Sequence, residues 1–247
     1  MLGLPDSITA CLFDLDGVLT QTAKVHDEAW TQTFDAYLKQ RAETQGEKFE
    51  PFDKVKDYDE YVDGLPRYDG VRNFLASRHI ELPEGSADDS PHQDTVCGIG
   101  NRKNELVLEL IKRNGVDAYD GSVRFVKAAR EAGLRRAVVS SSANCRDVLI
   151  AAGIEDLFEA RIDGQVADEQ HLKGKPHPDT FLAGAKALGV TAAQSAVFED
   201  ALAGVQAGRA GNFGYVVGVN RVGQAQALRE HGASVVVEDL DELLPRS

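Results

Sequence analysis

The sequence predicts an α/β protein: a parallel sheet flanked by helices, interrupted after its first strand by an α-helical insert. Three observations predict it. A short apolar run, Ile8–Phe13, leads straight into two aspartates one residue apart. From Gly121 onward, apolar runs and amphipathic stretches alternate, the pattern of a parallel sheet with helices on both faces. Between them, Thr22–Arg113 is mostly polar and helical in pattern.

Ile8–Phe13 reads as a buried parallel strand, too short for a helix. Val25–Leu38 places Val25, Ala29, Trp30, Phe34, Tyr37 and Leu38 at helical spacing. Asp88–Asp94 is loop-like, and Asn104–Ile111 is a second helix of the insert. The alternation then begins with a helix near Ser122–Glu131, a strand near Arg136–Ser140 and a helix near Arg146–Ala152. It continues with a helix at Pro178–Leu188, a strand at Ala196–Phe198 and a helix near Ala203–Arg209. Strands at Tyr215–Val219 and Ser234–Val237 complete it. The expected organisation is a core of residues 1–21 and 114–247 with an insert of residues 22–113. No internal repeat or low-complexity segment is present.

Four strand ends or loops carry residues suited to phosphate chemistry. Asp14 and Asp16 fall at the C-terminal end of the first strand, where open α/β sheets place their ligands. Gly17 then lets the chain turn sharply. Two carboxylates there suit a hard cation such as Mg²⁺, and one of them could attack phosphorus. Ser140-Ser141-Ser142-Ala143-Asn144 follows an apolar strand, and hydroxyls with backbone N–H groups at a helix start bind phosphate oxygens. Lys175 stands before Pro176 and can neutralise a transferring phosphoryl group. Glu199-Asp200 ends another apolar run and can complete a metal shell. Each has a plainer reading: a turn or helix cap for the aspartates and serines, a solvated charge for Lys175, a helix-terminal charge pair for Glu199-Asp200. Their joint occurrence, in this order, favours the chemical reading.

On these four motifs the chain resembles the haloacid dehalogenase superfamily of phosphotransferases, over nearly its whole length. The resemblance implies a Rossmann-like core with a helical cap that closes over the active site. Within that superfamily the insert is similar to the β-phosphoglucomutase branch. Thr20–Trp30 carries the Thr-Ala-x-x-His and Ala-Trp pairs, here Thr22, His26 and Trp30. Val62–Arg67 resembles that branch's substrate loop, with Gly64, Leu65 and Arg67, and Arg102-Lys103-Asn104 a further cap segment whose lysine contacts substrate. Asp63 and Ala143 stand where that pattern has lysines. The stretch Ser86–Val96 is longer than the resemblance leads one to expect.

The resemblance implies an Mg²⁺-dependent mutase that interconverts β-glucose 1-phosphate and glucose 6-phosphate through a bisphosphate. Asp14 is the expected nucleophile, Asp16 the general acid and base, and Ser140 and Lys175 the holders of the phosphoryl oxygens. Asp14, Asp16 (through its backbone carbonyl), Glu199 and Asp200 form the expected metal site. Thr22, His26, Trp30, Gly64, Leu65, Arg67, Lys103, Ser141, Ser142, Ala143 and Asn144 line the expected substrate site. For His26 a partly exposed helix position, and for Trp30 a place in the core, are the plainer alternatives. A sugar-phosphate phosphatase would use the same core residues, and a non-catalytic phosphosugar-binding protein remains a reading from another class.

Composition fits this picture. The 247 residues are 43% hydrophobic, 7% aromatic and 27% charged, enough for one core and a smaller second domain. A net charge of −13 repels phosphate polymers, so nucleic acid is not expected as a partner. No apolar run is long enough to span a bilayer, and no secretory signal is visible. Cys11, Cys97 and Cys145 have no metal or redox spacing. A cytoplasmic monomer acting on a small phosphosugar is expected.

Overall fold

The computed structural model describes residues 2–245. In chain order its first elements are β1 (Ala10–Phe13), α1 (Ala23–Gln45), α2 (Arg67–Ser77), α3 (Val96–Asn114), α4 (Asp120–Glu131), β2 (Arg135–Val139), α5 (Cys145–Ala151) and β3 (Ala160–Ile162). Then come α6 (Gly164–Glu169), α7 (Asp179–Ala187), β4 (Ser195–Glu199), α8 (Leu202–Ala210), β5 (Tyr215–Val219), α9 (Ala225–His231) and β6 (Val235–Val237). The chain divides into two compact units, Thr22–Gly115 and the remainder on either side of it.

In the flanking unit the six strands pair in parallel in the order β3-β2-β1-β4-β5-β6. β1 and β4 are buried at every position, as strands covered on both faces must be. Successive side chains point to opposite faces, and the packing follows. Leu12, Val139 and Val197 cluster with Phe181 of α7, Val205 of α8 and Leu228 of α9. Phe13 stacks on Phe198 at 4.5 Å between ring centroids and meets Phe125 of α4 edge-on at 6.2 Å. The strand order reverses direction between β1 and β4, and crevices at such points receive ligands.

The inserted unit has its own core. Trp30 and Phe34 of α1 stack at 5.0 Å, and Phe34 lies 4.0 Å from Phe74 of α2. Thr95 caps α3 by accepting the Gly98 N–H at 2.9 Å.

Several elements differ from the sequence expectation. α1 runs on to Gln45, because its last turns are polar and carry no apolar period. α3 starts at Val96 rather than Asn104, its first two turns containing Gly98 and Gly100, both weak helix formers. Arg67 is not in a loop but opens α2 behind Pro66, and α2 buries Val71, Phe74 and Leu75. Tyr58–Val62 forms a π-helical turn. β3, α6 and α9 went unrecognised: β3 is three residues around an arginine, α6 buries no residue, and α9 buries Leu228 alone.

Candidate active site

Three neighbouring strands turn polar at the same edge of the sheet. Asp14 directly follows β1, and its backbone N–H donates to the Phe198 carbonyl of β4 at 2.9 Å. That bond carries the ladder one residue further and sets the Asp14 carboxylate beside the end of β4. Gly17 has φ of +86°, and a Cβ there would overlap the Asp200 carboxylate. Glycine alone lets the Asp16–Gly17 turn lie against Asp200.

Lys175 joins the motifs. Its ammonium is buried, pairs with Asp14 Oδ1 and with Glu199 Oε1 (2.5 Å), and reaches the Val139 carbonyl at 3.4 Å. It also lies 5.0 Å from the centre of the Phe181 ring. One cation therefore ties the ends of β1, β2 and β4 together. Glu199 is fully buried and also accepts the Ala201 N–H at 2.9 Å, which fixes its carboxylate from the far side.

The electrostatics are unbalanced. Burial pushes the Asp14 carboxyl up, Lys175 pulls it down, and the negative Glu199 and Asp16 push it up again, leaving it well above the ordinary carboxylate range. For Lys175, burial opposes the charge, but Asp14 and Glu199 outweigh it and keep the ammonium protonated. Carboxylate oxygens of Asp14, Glu199 and Asp200 lie within 4.8 Å of one another. An all-oxygen donor set with surplus negative charge fits a hard divalent cation. The Asp16 carboxylate is not part of that cluster.

Ser140 is buried, and its Oγ accepts the Ser142 N–H at 3.1 Å. Ser142 Oγ accepts the Asn144 N–H at 3.2 Å, and the Ala143 carbonyl accepts from Gln165 Nε2 at 3.0 Å. These local turns order Ser140–Asn144, with Ser141 among them, just before α5. Cys145 follows, and burial pushes its thiol well up, which makes it inert rather than redox-active.

In the inserted unit the expected residues fall into two groups. Lys103 of α3 is buried, its Nζ 2.7 Å from His26 Nδ1 and 4.7 Å from the centre of the Trp30 ring. An ammonium can only donate, so Nδ1 is the accepting ring nitrogen. Thr22 is buried at the start of α1, and Trp30 belongs to the aromatic core. Gly64 and Leu65 form the turn before α2, where the Leu65 N–H donates to Val62 at 3.3 Å. Arg67 donates through Nη2 to the Tyr68 hydroxyl at 2.9 Å.

Sequence reasoning missed a brace behind the core site. Arg221, just after β5, donates through Nε to the Gly17 carbonyl at 2.7 Å and through Nη1 to the Glu238 carbonyl at 2.9 Å. Its guanidinium lies 3.6 Å from the centre of the Tyr119 ring. Gln224 donates to the Asp200 carbonyl at 3.0 Å. The signal was present: Asn220-Arg221 is polar directly after an apolar strand, as at the other three sites.

Among the described residues no helix is long and apolar enough to cross a membrane. A family model for haloacid dehalogenase-like hydrolases matches residues 8–212. The chain is 58% identical to a beta-phosphoglucomutase of Mycobacterium bovis over 247 residues, 99% of this chain and 94% of that protein. It is 31% identical to the beta-phosphoglucomutase of Bacillus subtilis over 235 residues, covering 95% of this chain and 91% of that one. A crystal structure of beta-phosphoglucomutase from Clostridium difficile superposes with a TM-score of 0.74 at 26% identity, covering 96% and 93% of the two chains. With its strand-end carboxylates, its bridging lysine and these relatives, the chain belongs to the haloacid dehalogenase-like hydrolase family.

Proposed function

We propose that the chain is an Mg²⁺-dependent β-phosphoglucomutase that interconverts β-glucose 1-phosphate and glucose 6-phosphate. The observation that carries the phosphoryl-transfer chemistry is the buried Lys175 ammonium bridging Asp14 and Glu199. A binding protein has no need of a carboxylate held this way, and the named relatives agree with a mutase.

An Asp14 oxygen attacks phosphorus, and the bond from phosphorus to the sugar oxygen breaks as the aspartyl-phosphate forms. Asp16 gives its proton to the departing oxygen. In the return step it takes the proton of the attacking sugar hydroxyl, and the phosphoryl group leaves Asp14. Ser140 and Lys175 hold the phosphoryl oxygens where charge builds up. Asp14, Asp200 and the Asp16 backbone carbonyl would hold Mg²⁺, with Glu199 beside them. The bound ion supplies charge neutralisation and orientation of the phosphoryl oxygens. A glucose 1,6-bisphosphate forms between the two half-reactions and must present its second phosphate in turn. Arg67 is the cation assigned to the phosphate that is not being transferred, since a guanidinium grips phosphate through paired N–H groups.

A phosphatase reading rests on Asp63 and Ala143, which stand in place of two expected lysines. The deciding experiment is incubation with β-glucose 1-phosphate, Mg²⁺ and a trace of glucose 1,6-bisphosphate. Glucose 6-phosphate is the expected product. Free phosphate as the main product refutes the mutase and favours the phosphatase.

A further inference from the structure

We propose that Tyr68 is a positioning residue for Arg67, fixed in turn by Asn101 and the Ser86–Asp94 segment; this deepens the reading of Arg67 given above and rests on it. Tyr68 follows Arg67 in the first turn of α2. Its hydroxyl accepts from Arg67 Nη2 at 2.9 Å and donates to Asn101 Oδ1 of α3, also at 2.9 Å. The Arg67 guanidinium lies 4.7 Å from the centre of the Tyr68 ring. One aromatic side chain thus holds the guanidinium by a hydrogen bond at its tip and by its π face.

The seat of that ring is built for it. A Cβ on Gly100 would stand 2.7 and 2.8 Å from Tyr68 Cδ1 and Cε1, so the glycine in α3 makes room for the tyrosine. Asn101 cannot swing away, because its Nδ2 donates to the Ala87 and Asp89 carbonyls, both at 2.9 Å. Those carbonyls belong to a pinned segment: Arg102 donates to Pro91 at 2.7 Å, and Thr95 Oγ1 to Asp89 Oδ2 at 2.6 Å. The amide's two donors fix which end is oxygen, and that oxygen is left to accept from Tyr68. The long Ser86–Asp94 stretch therefore ends its hydrogen-bond chain at Arg67. Arg67 meets a neutral phenol oxygen at this contact rather than a carboxylate, so its charge is oriented without being neutralised. That is the arrangement wanted in a group that must meet a phosphate, because a preorganised donor loses less freedom on binding.

The test is Tyr68→Phe, which keeps the ring in its seat and removes the hydroxyl. KM for β-glucose 1-phosphate, with bisphosphate saturating, should rise about fivefold, the worth of one hydrogen bond, with kcat within about twofold of wild type on the same scale. Hydrolysis of acetyl phosphate, which has no second phosphate, should not change. In an Arg67→Ala background Tyr68→Phe should add nothing, because the group it positions is gone. An unchanged KM in Tyr68→Phe, or its full effect repeated on top of Arg67→Ala, overturns the positioning role. A wild-type KM in Arg67→Ala alone overturns the distal-phosphate reading, and this proposal with it.

Discussion

Lys175→Met tests whether the bridge between Asp14 and Glu199 holds the core site together. Methionine keeps the unbranched stem that packs toward Phe181 and deletes the ammonium. In the folded protein Lys175 is 3% exposed, Asp14 7% and Glu199 0%, so water cannot replace the lost partner. Removing one member of a buried ion pair destabilises by about 3–5 kcal/mol, and here two carboxylates lose the same cation. The loss has a pH signature. Without Lys175, burial, Glu199 and Asp16 all push the Asp14 carboxyl up. The folded variant then binds a proton that the unfolded chain does not, so its stability rises as pH falls, by up to about 1.4 kcal/mol per pH unit. In the wild type Lys175 opposes that uptake without abolishing it, since burial, Glu199 and Asp16 still leave the Asp14 carboxyl raised, so the variant's uptake begins at higher pH than the wild type's. The pKa of Lys175 itself is raised above the ordinary lysine value, so its contribution is present in full across the neutral and acid range and fades only in alkali. Urea unfolding in metal-free buffer at about pH 7.5 and about pH 5.5 measures both effects. The deficit of the variant should be large at the higher pH and shrink at the lower. A deficit below about 1 kcal/mol, or one equal at both pH values, refutes the argument that this is a buried, uncompensated charge pair.

Asp14→Asn should lower turnover at least about a thousandfold, as removal of a covalent catalyst does. It should leave the fold intact, since Lys175 keeps Glu199; turnover near wild type in the purified variant removes Asp14 as nucleophile. Chelation should abolish activity and Mg²⁺ restore it, with Ca²⁺ a poor substitute because its looser coordination spoils in-line geometry. Full activity after exhaustive chelation rules out a role for the Asp14, Glu199 and Asp200 cluster in metal-assisted chemistry. Arg67→Ala should depress mutase kcat/KM strongly, with a raised KM, and hydrolysis of acetyl phosphate far less, because only the sugar bisphosphate has a distal phosphate. The ratio of isomerised sugar to free phosphate, measured in both proteins, tests this.

The core was legible because its strands centre on short apolar runs bounded by polar residues. A parallel sheet covered on both faces demands that pattern, and β1, β2, β4 and β5 all carry it. The strand-end rule also found Asp14, Ser140 and Glu199 as a group, since each is the first polar residue after, or the last residue of, an apolar run. β3 escaped because Arg161 interrupts three residues; that arginine is paired locally, its Nε donating to the buried Asp163 two positions on at 2.5 Å. The start of α3 escaped because two glycines there serve close packing, one of them against Tyr68, at the expense of helix propensity. Tyr68 and Asn101 could not be read from spacing at all, and Arg221 only as a polar residue after an apolar strand, not by its partners. Tyr68 and Asn101 pair across 33 residues and Arg221 reaches Gly17 across 204, and nothing in a one-dimensional pattern encodes such pairs.

The charge of the chain and the charge of its ligand set a problem that the local geometry resolves. A protein of net charge −13 offers an anionic sugar phosphate no general attraction. The core site adds to the difficulty, for Asp14, Glu199 and Asp200 cluster where Lys175 is already committed to two of them. That commitment is useful rather than wasteful. A lysine paired with Glu199 and Asp14 is held still, its proton secured, and in the proposed mechanism a fixed donor of this kind favours the transition state over the ground state. Arg67 follows the same logic with different means: a guanidinium set by a phenol ring and a hydroxyl keeps its full charge and gives up only its freedom. In both cases the sequence supplies one cation and the fold supplies its immobility.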